Sequence, residues 1–249
     1  MKAIKAVMLP QAQSGLLVAA DNVSPCAACE ARGLAVCGAL SNHDLAELSE
    51  VSRKRTLEAG DYLFFEGDEP DAYYIVLDGA IKFYKLMEDG RRQVVGFLFK
   101  GDMIGEAYQP AYNFTAEAMG RTELCQLSKD KFELFAGDSA ALGRRLLALA
   151  SSSMAAAQNQ MLLLGRKTAK ERLASFFLWM SERAAERGDD PRHLYVPMSR
   201  ADMGDYLGLT VETVSRMVTK LKKDGLIELG DRSLIHINNL SSLKALAGG

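Results

Sequence analysis

Three cysteines stand within twelve residues near the start of the chain, Cys26, Cys29 and Cys37, in a C-x2-C-x7-C pattern, and the one other cysteine, Cys125, lies far along. A chain with this much apolar content does not need neighbouring cysteines for packing, and in a reducing cytoplasm a disulfide framework is disfavoured. Metal or cluster ligation is the natural alternative, because C-x-x-C places two thiolates on one side of a turn within reach of one centre. A structural zinc site wants four ligands in a compact tetrahedron, and His43 could stand in for Cys125. An iron–sulfur cluster needs four thiolates but accepts one from a distant strand. Use of all four cysteines, and no others, favours the cluster; zinc and redox-reactive thiols stay open.

A second set of side chains suits nucleic acid. Ser199 can cap a helix over Arg200–Leu207, with Asp202 as the acidic member of a capping-box-like start. Gly208-Leu209 makes a tight turn, Thr210 caps a helix from Val211 to about Asp224, and Gly225 closes it. Met203, Leu207, Val214, Val218 and Leu221 have the spacing to pack inward, which gives a helix-turn-helix. Leu226–Leu229 and Ser233–Ile237, joined through Gly230-Asp231-Arg232, read as a two-stranded wing. On the second helix Glu212, Ser215 and Arg216 sit at i, i+3 and i+4, on one face of its first two turns. Arginine can grip guanine O6 and N7, glutamate can accept from cytosine N4, and serine can do either job. The plainer reading is an intrahelical Glu212–Arg216 ion pair on a wet face. Thr213, Lys220, Lys222 and Lys223 suit phosphate contacts or plain surface.

The elements that must position these groups follow. Ala140–Leu164 contains no proline, and Asp138-Ser139 gives it a polar start. Leu147, Ala150, Met154, Ala157, Met161 and Leu164 recur at intervals of 3, 4, 3, 4 and 3, the a/d spacing of a helix that packs lengthwise on another. Ser151–Ser153 and Gln158–Gln160 keep the opposite face wet. The pattern predicts a dimerisation helix or a helix packed on its own domain. Between about Leu45 and Leu127, turn dipeptides (Gly60-Asp61, Gly67-Asp68, Asp78-Gly79, Asp89-Gly90, Gly101-Asp102) separate β-favouring runs at 62–65, 73–77, 81–86 and 94–99. That spacing predicts a small antiparallel barrel or sandwich. A helix from Gly165 to about Arg187 carries Phe176, Phe177, Trp179 and Met180 for a further core, and Gly165 is the expected hinge, with Thr168-Ala169 as the alternative.

Of 249 residues, 48% are hydrophobic and 25% charged, the balance of a soluble globular protein with room for two cores. No apolar run approaches the roughly 18 residues that span a bilayer, so the expectation is a cytoplasmic protein without membrane partners. Net charge is −2, but residues 1–164 hold 16 Lys and Arg against 21 Asp and Glu, and the remainder 14 against 11. An acidic body with a mildly basic tail suits a sensor joined to a nucleic-acid reader. The organisation expected is a mobile arm over 1–25, a cysteine loop and sensor over 26–139, a dimerisation helix over 140–164 and a DNA-binding domain over 165–249.

The glycine-punctuated strands, the Gly101-Asp102-Met103-Ile104-Gly105-Glu106 turn and the long helix resemble the CRP/FNR regulators. The resemblance implies an α+β fold: an antiparallel β-roll sensor of the cyclic-nucleotide-receptor type, a dimerisation helix and a C-terminal winged helix-turn-helix. Cyclic-nucleotide binders of that fold carry an arginine-serine pair just after the glycine-glutamate turn. This chain has Ala107-Tyr108-Gln109-Pro110-Ala111-Tyr112-Asn113 there and no arginine before Arg121, so no cyclic nucleotide is expected. The cysteines resemble the oxygen-responsive FNR branch, whose three N-terminal cysteines and one internal cysteine hold a [4Fe–4S] cluster; Cys26, Cys29, Cys37 and Cys125 match those places. The seven-residue interval before Cys37 differs from the five of the best-known members and is similar to a variant of FnrN-like branches. Glu-x-x-Ser-Arg at Glu212, Ser215 and Arg216 is similar to the FNR signature that reads a TTGAT half-site.

The resemblance covers about Cys26 to Ile237. It implies a homodimer on a palindromic double-stranded DNA operator, with RNA polymerase as a partner if the protein activates, through a surface around Lys85–Arg92. Cluster loss in oxygen would weaken the seam and release DNA. A zinc or thiol-redox sensor on the same DNA reader is the alternative. An enzyme is not expected: there is no nucleotide-binding glycine loop and no Ser/His/Asp set, and His43, His193 and His236 are scattered.

Overall fold

Strand β3, Ala72–Asp78, divides the N-terminal domain into two cores, because its alternate side chains face opposite ways. Tyr74 and Val76 point into a roll with Leu57, Leu63, Phe64, Ile81, Ile104 and Leu124. Tyr73 and Ile75 point outward into a second core. The computed structural model describes residues 24–105, 109–231 and 233–248. Most of the expected N-terminal arm, the glutamate of the glycine-glutamate turn and Arg232 of the wing lie outside the described residues.

The roll is two antiparallel sheets. One has the order β1-β8-β3-β6, with β1 Ser52–Leu57, β6 Met103–Ile104 and β8 Thr122–Ser128. The other has the order β2-β7-β4-β5, with β2 Tyr62–Phe64, β4 Ala80–Leu86, β5 Arg92–Phe99 and β7 Thr115–Ala118. The strand-built block begins later than its expected start near Leu45. Leu45 lies in helix α1, Asn42–Glu50, which Ser41 and Asp44 close at its start with a full capping box. β1 escapes a sequence reading because it is an edge strand written Ser-Arg-Lys-Arg-Thr-Leu, mostly exposed and without an apolar run.

Helix α2, Lys129–Asp138, leads into α3, Ala140–Arg166, whose start is capped by the Ser139 hydroxyl accepting from the Leu142 amide. α3 runs 27 residues, about 40 Å. It includes Gly165, so the expected hinge there is corrected. The break falls at Lys167-Thr168, where Thr168 and Glu171 form a capping box that starts α4, Ala169–Glu186.

The C-terminal unit continues with β9 His193–Tyr195, α5 Arg200–Leu207, α6 Val211–Lys223, β10 Ile227–Leu229, β11 Leu234–Ile237 and α7 Leu240–Leu246. The wing sheet has three strands, β10-β11-β9, rather than the expected two. Leu173, Phe177, Met180, Leu207, Val218, Leu221 and Ile237 form its core. That core runs without a break onto the outer face of β4 and β5, taking in Ala80, Tyr84, Val94, Phe97 and Phe99. The C-terminal unit is therefore docked on the roll. Among the described residues no helix is long and apolar enough to cross a membrane.

Candidate functional site

Alternation along β8 decides where Cys125 faces. Leu124 points into the roll, whereas Cys125 and Leu127 point into the outer core with Ile75, the register partner of Cys125 across the sheet. The turn-rich loop 24–40 folds over this same outer face. Cys26 and Cys29 sit in its successive turns, and Cys37 lies in the 3-10 turn Val36–Ala39. Ala35, Val36 and Leu40 anchor the loop in the outer core, where Cys26, Cys37 and Cys125 are half-buried. The four thiols are free and mutually within electrostatic range. Burial pushes Cys125 up to about 12, with Cys37, Cys26 and Cys29 adding to the rise. Burial also pushes Cys37 up to about 11, with Cys26 adding to it. Cys26 is raised by burial too, against the Ser52 hydroxyl 3.9 Å from its sulfur. Free thiolates here would repel one another in a partly desolvated site.

Among the described residues, no three His, Cys, Asp or Glu side chains are gathered tightly enough to hold one metal ion. His43 does not join the cysteines: it lies on α1 with its side chain 82% exposed and its Nδ1 3.8 Å from Glu47.

The loop also abuts the long helix. Leu142 of α3 is fully buried in the outer core, with Leu146 and Leu149 packed against it, and Arg145 Nη2 donates to the Leu34 carbonyl at 3.1 Å. Further along, the apolar stripe of α3 faces away from its own chain. Leu147 is 69% exposed, Met154 62% and Met161 73%, and Ala150 and Ala157 are exposed between them. Leu164 differs from the other five, because it packs against the core of the DNA-binding unit.

In the helix-turn-helix, Ser199 and Asp202 form a capping box at α5, and Gly208 turns the chain at a φ of +61°, a left-handed conformation that glycine adopts without strain. Thr210 caps α6 by accepting from the Thr213 amide. Val214, Val218 and Leu221 are buried, which leaves Glu212, Ser215 and Arg216 exposed on the outer face. No ion pair joins Glu212 to Arg216 among the described residues, so the plainer reading of that pair is not what forms. The Glu212 carboxylate is held below its ordinary range by its own backbone amide and the Thr210 hydroxyl. Lys220, Lys222 and Lys223 line the exposed end of the same helix.

One functional group was missed in part by sequence reasoning. Asp202 is more than a cap: its Oδ2 accepts from the Ser199 amide and hydroxyl, while its Oδ1 lies 3.2 Å from Lys82 Nζ and 2.8 Å from Arg92 Nη2. Lys82 also pairs with Glu117 at 2.8 Å, and Arg92 Nε with Asp205 at 2.8 Å. Lys82 and Asp202 are both buried, so this network clamps α5 to the roll through desolvated charges. Capping chemistry was legible from local spacing; partners 120 residues away carry no such signal. His236 is half-buried on β11, with its ring tilted against that of the exposed His193 at 4.4 Å between centroids.

Comparison with known proteins agrees with both halves of this architecture. Residues 54–138 match the cyclic nucleotide-binding domain family, and residues 171–246 match the Crp-like helix-turn-helix domain. The chain is 39% identical over 222 residues to the nitrogen fixation regulation protein FixK of Bradyrhizobium diazoefficiens, covering 88% of this chain and 94% of that one. It is 34% identical to the fumarate and nitrate reduction regulatory protein of Escherichia coli K12, covering 90% of each. The solved structure of FixK2 from Bradyrhizobium japonicum superposes with a TM-score of 0.74 at 35% identity, over 79% of this chain and 97% of that one. These relatives are regulators rather than enzymes. With a roll, a long helix and an exposed recognition face in one chain, and relatives of this identity along nearly its whole length, the protein belongs to the CRP/FNR family of DNA-binding transcription regulators, beside FNR and FixK.

Proposed function

We propose that this regulator works as a homodimer in which Cys26, Cys29, Cys37 and Cys125 hold a [4Fe–4S] cluster, and that cluster loss in oxygen weakens its grip on a palindromic site of TTGAT type. The observation that carries this reading is the placement of Cys26, Cys37 and Cys125 in the outer core beside the start of α3, with Cys29 within electrostatic range of all three. The donor set fits the group. Four thiols, no carboxylate or imidazole among them, suit iron–sulfur ligation, and repulsion among the thiolates calls for a positively charged core. Bound, the cluster would supply an oxygen-labile tie between the loop and β8.

The residues themselves do the rest. Cys26, Cys29 and Cys37 pin the loop to Cys125, and the loop in turn covers Leu142 and accepts from Arg145. Loosening the loop uncovers the first turns of α3 and removes the Leu34 partner of Arg145. The stripe at Leu147, Ala150, Met154, Ala157 and Met161 is the surface on which a second copy would pack. Two alanines bury little area, so the dimer responds to a bias of a few kcal/mol. Dimerisation sets two copies of α6 one helical turn of DNA apart, about 34 Å, which matches a palindrome. Arg216, Glu212 and Ser215 read base edges there, and Lys220, Lys222 and Lys223 lie toward phosphates.

Iron, acid-labile sulfide and the visible spectrum of protein purified without air test the reading. About four irons and four sulfides per chain, with a band that bleaches on air exposure while DNA affinity falls, is the expected result. Zinc, or protein without metal and with DNA binding indifferent to air, would overturn the oxygen-sensing mechanism and leave the DNA reader with another signal.

A further inference from the structure

The turn between β5 and β6, Lys100-Gly101-Asp102, touches both the cysteine loop and the DNA-binding unit. On the loop side, Lys100 Nζ lies 2.8 Å from Glu30, and the Leu34 side chain rests directly on Gly101. Gly101 has a φ of +93°, and a Cβ there would collide with Leu34, so only glycine permits this seat. On the other side, the Asp102 carboxylate accepts from Arg183 Nη2 of α4, with Oδ2 at 2.6 Å, and from the Phe99 amide at 2.9 Å. At the C-cap of α4, the Arg187 guanidinium lies over the Phe99 ring, 5.0 Å from its centroid. The turn is stiff, because Gly101 donates to the Val76 carbonyl and Val76 donates to the Asp102 carbonyl, both on β3. The exposed Glu30–Lys100 pair adds little by itself. Position is carried by Leu34 on Gly101 and by the half-buried Asp102–Arg183 pair.

We propose that this turn relays the state of the cysteine loop to the DNA-binding unit of the same chain, from Leu34 through Gly101 and Asp102 to Arg183, in parallel with the α3 seam. Leu34 is the branch point, with its carbonyl held by Arg145 of α3 and its side chain seated on Gly101. The proposal rests on the reading of the loop as the sensor. It adds that orientation of the helix-turn-helix, and not dimer population alone, follows the loop.

The test uses the full chain as wild type, Arg183→Gln, Arg183→Lys and Leu34→Ala. Iron content, sedimentation and affinity for a duplex with inverted TTGAT half-sites are measured before and after air exposure, alongside hydrogen exchange on anaerobic and chelator-treated protein. Arg183→Gln is expected to leave iron content and dimerisation unchanged while the ratio of DNA affinities before and after air shrinks at least fivefold, and Arg183→Lys to recover part of it. Leu34→Ala is expected to raise exchange at Phe99–Asp102 and in the last turns of α4 even in chelated protein, which judges the relay without the cluster. Unchanged exchange there, or an affinity ratio in Arg183→Gln within twofold of wild type, would overturn the relay and leave the cluster reading intact. A wild type without iron or without any air response would overturn the cluster reading instead, with the Leu34→Ala exchange still deciding the relay.

Discussion

Glu212 and Arg216 share an exposed face of α6 without pairing with each other, the Glu212 carboxylate being held instead by its own amide and the Thr210 hydroxyl. Arg216→Ala is expected to cost about 1–3 kcal/mol at a TTGAT-type site and to relax discrimination at one base position, read by fluorescence anisotropy against a panel of single-base variants. A uniform loss across the panel would reassign Arg216 to phosphate. Asp202 makes a different kind of prediction. Burial opposes its charge, but the Ser199 hydroxyl and Lys82 hold its carboxyl below the ordinary carboxylate value. A group with a depressed folded pKa contributes stability above its unfolded value of about 3.9, and that contribution is lost as pH falls through the lower folded value. Acid should therefore release the clamp, and Asp202→Asn, which can still cap α5, should lose about 3 kcal/mol at neutral pH and flatten the acid limb of an unfolding series. An acid limb unchanged from wild type would place the pH dependence elsewhere. The residue scale was the most legible in sequence, because caps and exposed helix faces are set by spacings of three and four. Lys82 and Arg92 were not legible as partners of Asp202, since pairing across the fold leaves no local pattern.

Helix α3 shows what periodicity can and cannot say about an element. Its a/d spacing was plain, and the fold leaves Leu147, Met154 and Met161 on the surface of the single chain, which answers the alternative of a helix buried in its own domain. Leu164 kept the rhythm but packs into the DNA-binding core, because by that turn the helix has reached the next unit. Met154→Lys places a charge in the middle of the stripe without touching the chain's own cores. The helix should persist by circular dichroism while dimer affinity falls by at least about tenfold, or 1.4 kcal/mol, in sedimentation under anaerobic conditions. A dimer of undiminished affinity would move the interface off this stripe. The elements the sequence hid, β1, α2, β9 and α7, are short, polar or edge-placed, and tertiary packing rather than local pattern holds them.

Across the whole molecule, the contrast between an acidic body and a mildly basic C-terminal part is visible in charge, but the docking of one on the other is not. The outer face of β4 and β5 carries Tyr84, Phe97 and Phe99, aromatic residues whose strand alternation says only that both faces are apolar. In the fold Phe97 meets Phe176 at 6.2 Å and Tyr206 at 5.1 Å between ring centroids, and it bridges the roll to both α4 and α5. A core continuous across two units, reinforced by the Asp202 clamp, should make them unfold together. Phe97→Ala removes the bridging ring at an expected cost of about 3–5 kcal/mol, without altering the cysteine loop or the recognition face. Calorimetry of the wild type is expected to give one transition whose van't Hoff and calorimetric enthalpies agree. In the variant it should resolve into two, with the DNA-binding unit melting apart from the roll. Two transitions already present in the wild type would mean that the docked arrangement is too weak to act as a coupled unit. In that case a signal from the cysteine loop could reach the reader only through α3.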